Sequence, residues 1–155
     1  MKPNIKKLIL CLAIPLAVGG LSALLSGGMG SYRTLYKPPL SPPGWVFPVV
    51  WTILYLLMGY ASYRVLVSGA PKEQVRQALL FYGLQLFVNF IWSPVFVGLE
   101  WRLTAFIVLL LLWLLVCLTL HRFSAIDERA GDLLLPYILW ITFAGYLNLG
   151  AYLLN

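Results

Sequence analysis

The chain has 155 residues, of which 61% are apolar and 10% charged, against about 25% charged in a soluble domain. Its net charge of +6 is not gathered into a basic stripe with interleaved aromatics outside the apolar segments, which argues against a nucleic-acid partner. That composition excludes a soluble fold and leaves an integral membrane protein.

Five uncharged stretches follow one another, at 8–25, 45–63, 78–99, 103–120 and 133–154. Each is close to the roughly 20 residues that a helix needs to cross a bilayer. Only helices and closed barrels satisfy their backbone polar groups in lipid. The stretches use most of the chain, so the expectation is a single domain, 1–155, built as an all-α bundle of five transmembrane helices.

The first stretch follows Lys2, Lys6 and Lys7, as a signal peptide would. No small-x-small cleavage site follows it and four more spans do, so a retained helix is expected. A long loop, roughly 26–44, joins it to the second span. The loop starts with Gly27, Gly28 and Gly30 and stiffens through Pro38, Pro39, Pro42 and Pro43, with Tyr32 and Tyr36 between. A connection of this length is either a lid over a binding site or a plain connector, and the lid is the favoured reading. The second span carries Trp45 and Trp51 near its start, with Tyr55 one turn beyond Trp51. On the third, Gln85, Asn89, Trp92 and Phe96 recur at helical spacing and form one stripe. The fourth ends at His121 and Arg122 and holds Cys117. On the fifth, Trp140, Ala144, Leu147, Asn148 and Ala151 share a face.

Five spans put Lys2, Lys6, Lys7, Arg64, Lys72, Arg76, Arg122 and Arg129 on one side, and Arg33, Lys37 and Arg102 on the other. Eight against three predicts the N-terminus inside and the C-terminus outside.

All five carboxylates, Glu73, Glu100, Asp127, Glu128 and Asp132, fall in loops or at helix ends. A proton-driven pump needs ionisable groups near the midplane, and none is placed there. His121 reads as interfacial and Cys11 and Cys117 as core thiols, so no metal site is expected. No nucleophile–base set can be assembled for hydrolysis. What the spans do hold is aromatic rings and a few amides. Amides facing lipid are costly, so Gln85, Asn89 and Asn148 should face protein or a cavity. They serve either as interhelical glue or, with Trp51, Trp92 and Trp140, as the wall of a pocket. Flat aromatic walls with a few amides suit a large, planar, apolar ligand.

The chain resembles the TspO/MBR family of tryptophan-rich sensory proteins, to which the mitochondrial translocator protein, or peripheral-type benzodiazepine receptor, belongs. The resemblance rests on Lys37-Pro38-Pro39, Pro42-Pro43-x-Trp45 and Pro48-x-x-Trp51-x-x-Leu54-Tyr55-x-x-Met58-Gly59-Tyr60. It continues through Gln85, Asn89, Trp92, Pro94, Phe96 and Gly98, and through Pro136-Tyr137, Trp140, Phe143-Ala144 and Leu147-Asn148. It covers the first loop and spans two, three and five; spans one and four match in character only.

The resemblance implies a homodimeric five-helix bundle in the cell membrane of a bacterium, with a pocket under the first loop. It implies tetrapyrrole binding, of protoporphyrin IX above all, and binding of isoquinoline carboxamide or benzodiazepine drugs. It implies light- and oxygen-dependent porphyrin degradation with Trp51 and Trp140 as the reactive residues. The implied ligand contacts are Tyr32, Trp51, Tyr55, Asn89, Trp92, Trp140, Phe143, Ala144 and Leu147. On this expectation the porphyrin lies between spans two, three and five as ligand or substrate, and no cofactor is required. Without a credible axial ligand, the metal-free ring is the expected guest. The alternatives are a non-catalytic porphyrin-binding stress sensor and a transporter or receptor. The chain ends Tyr152-Leu153-Leu154-Asn155, without the basic residue of the proposed mammalian cholesterol motif, so sterol transport is not carried over.

Overall fold

The computed structural model describes residues 4–27 and 33–155, and these are all-helical, without a strand. Helix α1 is Ile5–Ser26, α2 Val46–Leu66, α3 Lys72–Ser93, α4 Arg102–Ile126, the short α5 Glu128–Asp132, and α6 Leu135–Leu154. A π-helical turn, Pro94–Gly98, extends α3. Five helical segments, four of them α1 to α4 and the last running through α5 and α6, are long and apolar enough to cross a membrane. They agree with the five predicted spans. The helices overrun the uncharged stretches, because helical hydrogen bonding continues past the apolar limit into charged ends such as Lys72–Gln77 and His121–Ile126.

Local chemistry sets the ends. Asn4 caps α1 by accepting from the Lys7 N–H at 3.1 Å, and Gly27 closes it in the left-handed region at φ 77°. Pro48 falls in the first turn of α2, where its missing N–H would have no helical partner. At Pro94 the α3 ladder loses a donor, and the backbone widens so that the Leu99 N–H reaches the Pro94 carbonyl at 2.8 Å. Asp127 ends α4 and starts α5, its side chain accepting from the Arg129 N–H at 3.1 Å.

Packing follows from small residues and buried polar groups. Gly59 on α2 lets the α1 backbone approach so closely that an added Cβ would run into the Cys11 carbonyl. Ser22 donates to the Phe90 carbonyl at 2.9 Å and Ser26 pairs with Ser93 at 2.8 Å, tying α1 to α3. Leu109, Leu112, Val116 and Phe123 of α4 are buried, while Leu110, Leu111, Leu114 and Leu118 face outward. At the end of the bundle that carries the N-terminus, Arg64 and Asp127 form an ion pair at 2.8 Å, and the Asn4 N–H donates to the Tyr63 hydroxyl. At the opposite end, residues 35–41 lie against α6. The Tyr146 hydroxyl donates to the Pro39 carbonyl at 2.6 Å, and the Asn155 amide exchanges hydrogen bonds with the Tyr36 backbone. Arg33, Lys37 and Arg102 thus share the end away from Arg64, as the alternation of five spans requires.

Candidate functional site

The aromatic residues of α2 recur every four positions, at Phe47, Trp51 and Tyr55, and so stand on one face. That face meets the Asn89–Trp92–Phe96 stripe of α3. Between them and α1 lies a cavity of about 310 Å³. The α1 wall is made of Leu16, Gly19, Gly20 and Ala23. The smallness of Gly19 is used directly, because a Cβ there would collide with the Tyr55 ring. Gly20, Ala23, Pro48 and Thr52 line the cavity and are exposed, so it opens sideways through the seam between α1 and α2. That seam lies within two apolar spans.

Trp51 is the centre of the ring cluster. It stacks on Tyr55 at 5.5 Å between centroids, meets Trp92 at 6.5 Å, and takes edge-on contacts from Tyr137 at 6.2 Å and Trp140 at 6.4 Å. Trp92 stacks on Phe96 at 5.2 Å with the planes 12° apart. Such offset and edge-to-face pairs are the favoured aromatic geometries.

A buried polar chain holds these rings. The Tyr55 hydroxyl donates to Asn89 Oδ1 at 2.8 Å, and Asn89 Nδ2 donates to the Tyr137 hydroxyl at 2.6 Å. Tyr137 in turn donates to Gln85 Oε1 at 2.6 Å. A second chain runs from Trp92 Nε1 to Asn148 Oδ1 at 3.0 Å, and from Asn148 Nδ2 to the Arg102 carbonyl at 2.8 Å. The amides are therefore both interhelical ties and, at Asn89, part of the cavity wall. Among the described residues, no charged side chain, histidine or cysteine lines this cavity. Among the described residues no group of three or more His, Cys, Asp or Glu lies together. The site offers π-faces, an amide and hydroxyls; it has no general acid–base pair.

Trp51, Tyr55, Asn89 and Trp92 are brought together on the cavity wall. Ala144 and Leu147 line a second, much smaller space of about 20 Å³ beneath Lys37, Pro38 and Ser41. Phe47, Trp92 and Phe96 are the wall between the two spaces. Trp140 and Phe143 line neither space. Trp140 sits behind Trp51, between Phe47 at 5.7 Å and Phe143 at 5.6 Å, and its indole N–H is buried without a partner among the described residues. Tyr32 falls outside the described residues. The larger space therefore lies among the first three spans, not between spans two, three and five, because Trp51, Trp140 and Tyr137 fill the gap between α2 and α6. Sequence reasoning missed the α1 wall and the hub role of Tyr137. The signal for α1 was present in the small residues Gly19, Gly20, Ser22 and Ala23, which interrupt a helix otherwise suited to lipid.

Comparison with known proteins bears on this arrangement. A sequence model described as the TspO/MBR family matches residues 11–153. The chain is 38% identical to a tryptophan-rich protein TspO of Chlorobaculum tepidum, across all of this chain and 99% of that one. It is 45% identical to a tryptophan-rich sensory protein of Cereibacter sphaeroides, over 80% of this chain and 76% of that one. It is 37% identical to a translocator protein of Bos taurus, over 87% of this chain and 82% of that one.

Proposed function

This chain belongs to the TspO/MBR family, and from that premise we propose that it binds a flat tetrapyrrole, protoporphyrin IX, and drug-like aromatic ligands of the benzodiazepine-site class. The observation that carries this reading is the cavity of about 310 Å³ walled by Phe47, Trp51, Trp92 and Phe96. Its volume is at the lower end of the range for small-molecule pockets. A drug-sized aromatic fits within it, and a macrocycle uses the lateral opening between α1 and α2 for its remaining bulk. Entry from the bilayer suits an apolar guest that partitions into lipid. Trp51 and Trp92 present π-faces, and Asn89 supplies a polar contact. The protein acts in a cell membrane, as a homodimer in this reading.

The proposal extends to light- and oxygen-dependent breakdown of the bound porphyrin. The ring absorbs the light, and the protein contributes orientation and oxidisable indoles. Trp51 is the indole that meets the guest, and Trp140 stands behind it in edge contact at 6.4 Å. The rival reading is a non-catalytic porphyrin-binding stress sensor. It is favoured by one observation, the lack of any acid–base pair in the cavity wall. Illumination of the purified protein with protoporphyrin, followed by absorbance, separates them. A defined product whose rate depends on oxygen and on Trp51 supports breakdown. Bleaching at the rate of free porphyrin in the same detergent, with binding intact, leaves only the sensor. Failure of porphyrin to quench tryptophan emission would remove both readings.

A further inference from the structure

At the end of the bundle opposite the N-terminus, away from the aromatic cavity, a separate cavity of about 390 Å³ is lined by Glu100, Trp101, Arg102, Leu103, Thr104, Tyr152 and Asn155. It sits where the connection out of α3 turns into α4. Glu100 takes the left-handed region at φ 60°, which L residues other than glycine rarely adopt. Arg102 opens α4, and its Nε is buried without a hydrogen-bond partner among the described residues. The two ion pairs found among the described residues are Arg64–Asp127 and Glu73–Arg76. Glu100 and Arg102 thus face one cavity with opposite charges and do not pair with each other. Trp101 is 59% exposed and Tyr152 41% exposed beside them.

We propose that this cavity is a binding site for the headgroup of a zwitterionic phospholipid of the phosphoethanolamine class. The assignment rests on the five membrane spans and is independent of the porphyrin reading. Its position at the end of an apolar span, with exposed tryptophan and tyrosine, is that of the headgroup layer. The guanidinium fork of Arg102 matches a phosphate, and the first turn of α4 adds backbone N–H groups and the positive end of the helix dipole. A purely anionic headgroup would meet Glu100 unfavourably. An ammonium bonded to the same phosphate meets it well, as it does the faces of Trp101 and Tyr152. Opposite charges that are held apart on one wall complement a guest that carries both. The site also reaches toward the aromatic cavity, since the Arg102 carbonyl accepts from Asn148, which holds Trp92.

The test is native mass spectrometry of the full-length protein in detergent with added phosphatidylethanolamine, phosphatidylglycerol or diacylglycerol. Phosphatidylethanolamine should be retained about tenfold better than either, the scale of one charge-assisted contact. Arg102→Gln should lose that retention, and Arg102→Lys should recover part of it. Glu100→Gln should bring phosphatidylethanolamine and phosphatidylglycerol to the same level. All three variants keep the backbone carbonyl that Asn148 uses, and circular dichroism checks their fold. Displacement of the lipid by soluble phosphoethanolamine but not by inorganic phosphate supports recognition of the whole headgroup. Displacement by inorganic phosphate alone shows a plain anion site and overturns the proposal. Equal retention of the three lipids by the parent, or unchanged retention in well-folded Arg102→Gln and Glu100→Gln, also overturns it.

Discussion

Removing a single oxygen, in Tyr137→Phe, should loosen the bundle measurably while leaving its rings in place. Tyr137 is 1% exposed, and its hydroxyl is the acceptor for Asn89 Nδ2 and the donor to Gln85 Oε1, both at 2.6 Å. Phenylalanine keeps the edge contact with Trp51 and creates almost no void. What remains are two amide groups without their partners. Gln85 Nε2 has only the sulfur of Met58, at 3.9 Å, and Asn89 Oδ1 keeps the Tyr55 hydroxyl. In a water-based reference each stranded buried group costs about 1–3 kcal/mol, or roughly 2–6 for the pair. Within a membrane the unfolded helices also find partners, and measured interhelical bonds average about 0.6 and reach about 1.7 kcal/mol. The second scale applies to helices that stay inserted, so the expected loss is about 1–3 kcal/mol. Unfolding in mixed micelles with a rising fraction of denaturing detergent, followed by circular dichroism, measures it. Asn89→Leu should cost a similar amount, and the double variant should cost clearly less than the sum, because the two share one network. A Tyr137→Phe variant within about 0.5 kcal/mol of the parent, the spread of ordinary surface changes, would refute the reasoning. The polar chain would then be a consequence of packing and not a support for it.

Other expectations are equally open to measurement. Ala23→Phe, at the exposed seam of the aromatic cavity, should weaken a drug-like ligand about tenfold with little loss of stability, since blocking a contact surface worth about 1.4 kcal/mol is a factor of ten. Ala144→Phe overfills the space of about 20 Å³ and should cost about 1–3 kcal/mol in stability as it pushes Phe47 and Trp92. If calorimetry shows affinity falling in well-folded Ala144→Phe but not in Ala23→Phe, the ligand lies under the loop and not among α1, α2 and α3. Trp51→Phe and Trp140→Phe should each still quench with protoporphyrin but lose most light-driven product; product at the parental rate in both, and in the double variant, makes the indoles walls only. Reporter fusions should place the N-terminus in the cytoplasm and the C-terminus outside, and a cytoplasmic C-terminal reporter would overturn the charge argument though not the five spans.

The number of spans, the all-helical class and the family were legible from the chain alone. Lipid permits few backbone solutions, so a count of uncharged stretches nearly counts the helices. Helical spacing also placed Gln85, Asn89, Trp92 and Phe96 on one face, and Trp51 above Tyr55, before any packing was known. Spacing says which residues share a face and not which helix that face meets. Only the folded bundle could show that α1, which reads as a plain lipid-facing helix, supplies a cavity wall through Gly19, Gly20 and Ala23. Only packing could set Trp51 on the cavity wall and Trp140 one layer behind it, although both are tryptophans on apolar helices. The same holds for Tyr137, a single hydroxyl that joins α3 to α6 through two amides. The reason is physical. Segment type follows from hydrophobic length and local hydrogen bonding, which are properties of neighbours in the chain. Cavity walls and polar hubs follow from contacts between helices, where small residues decide the approach and each buried amide must find its partner on another segment.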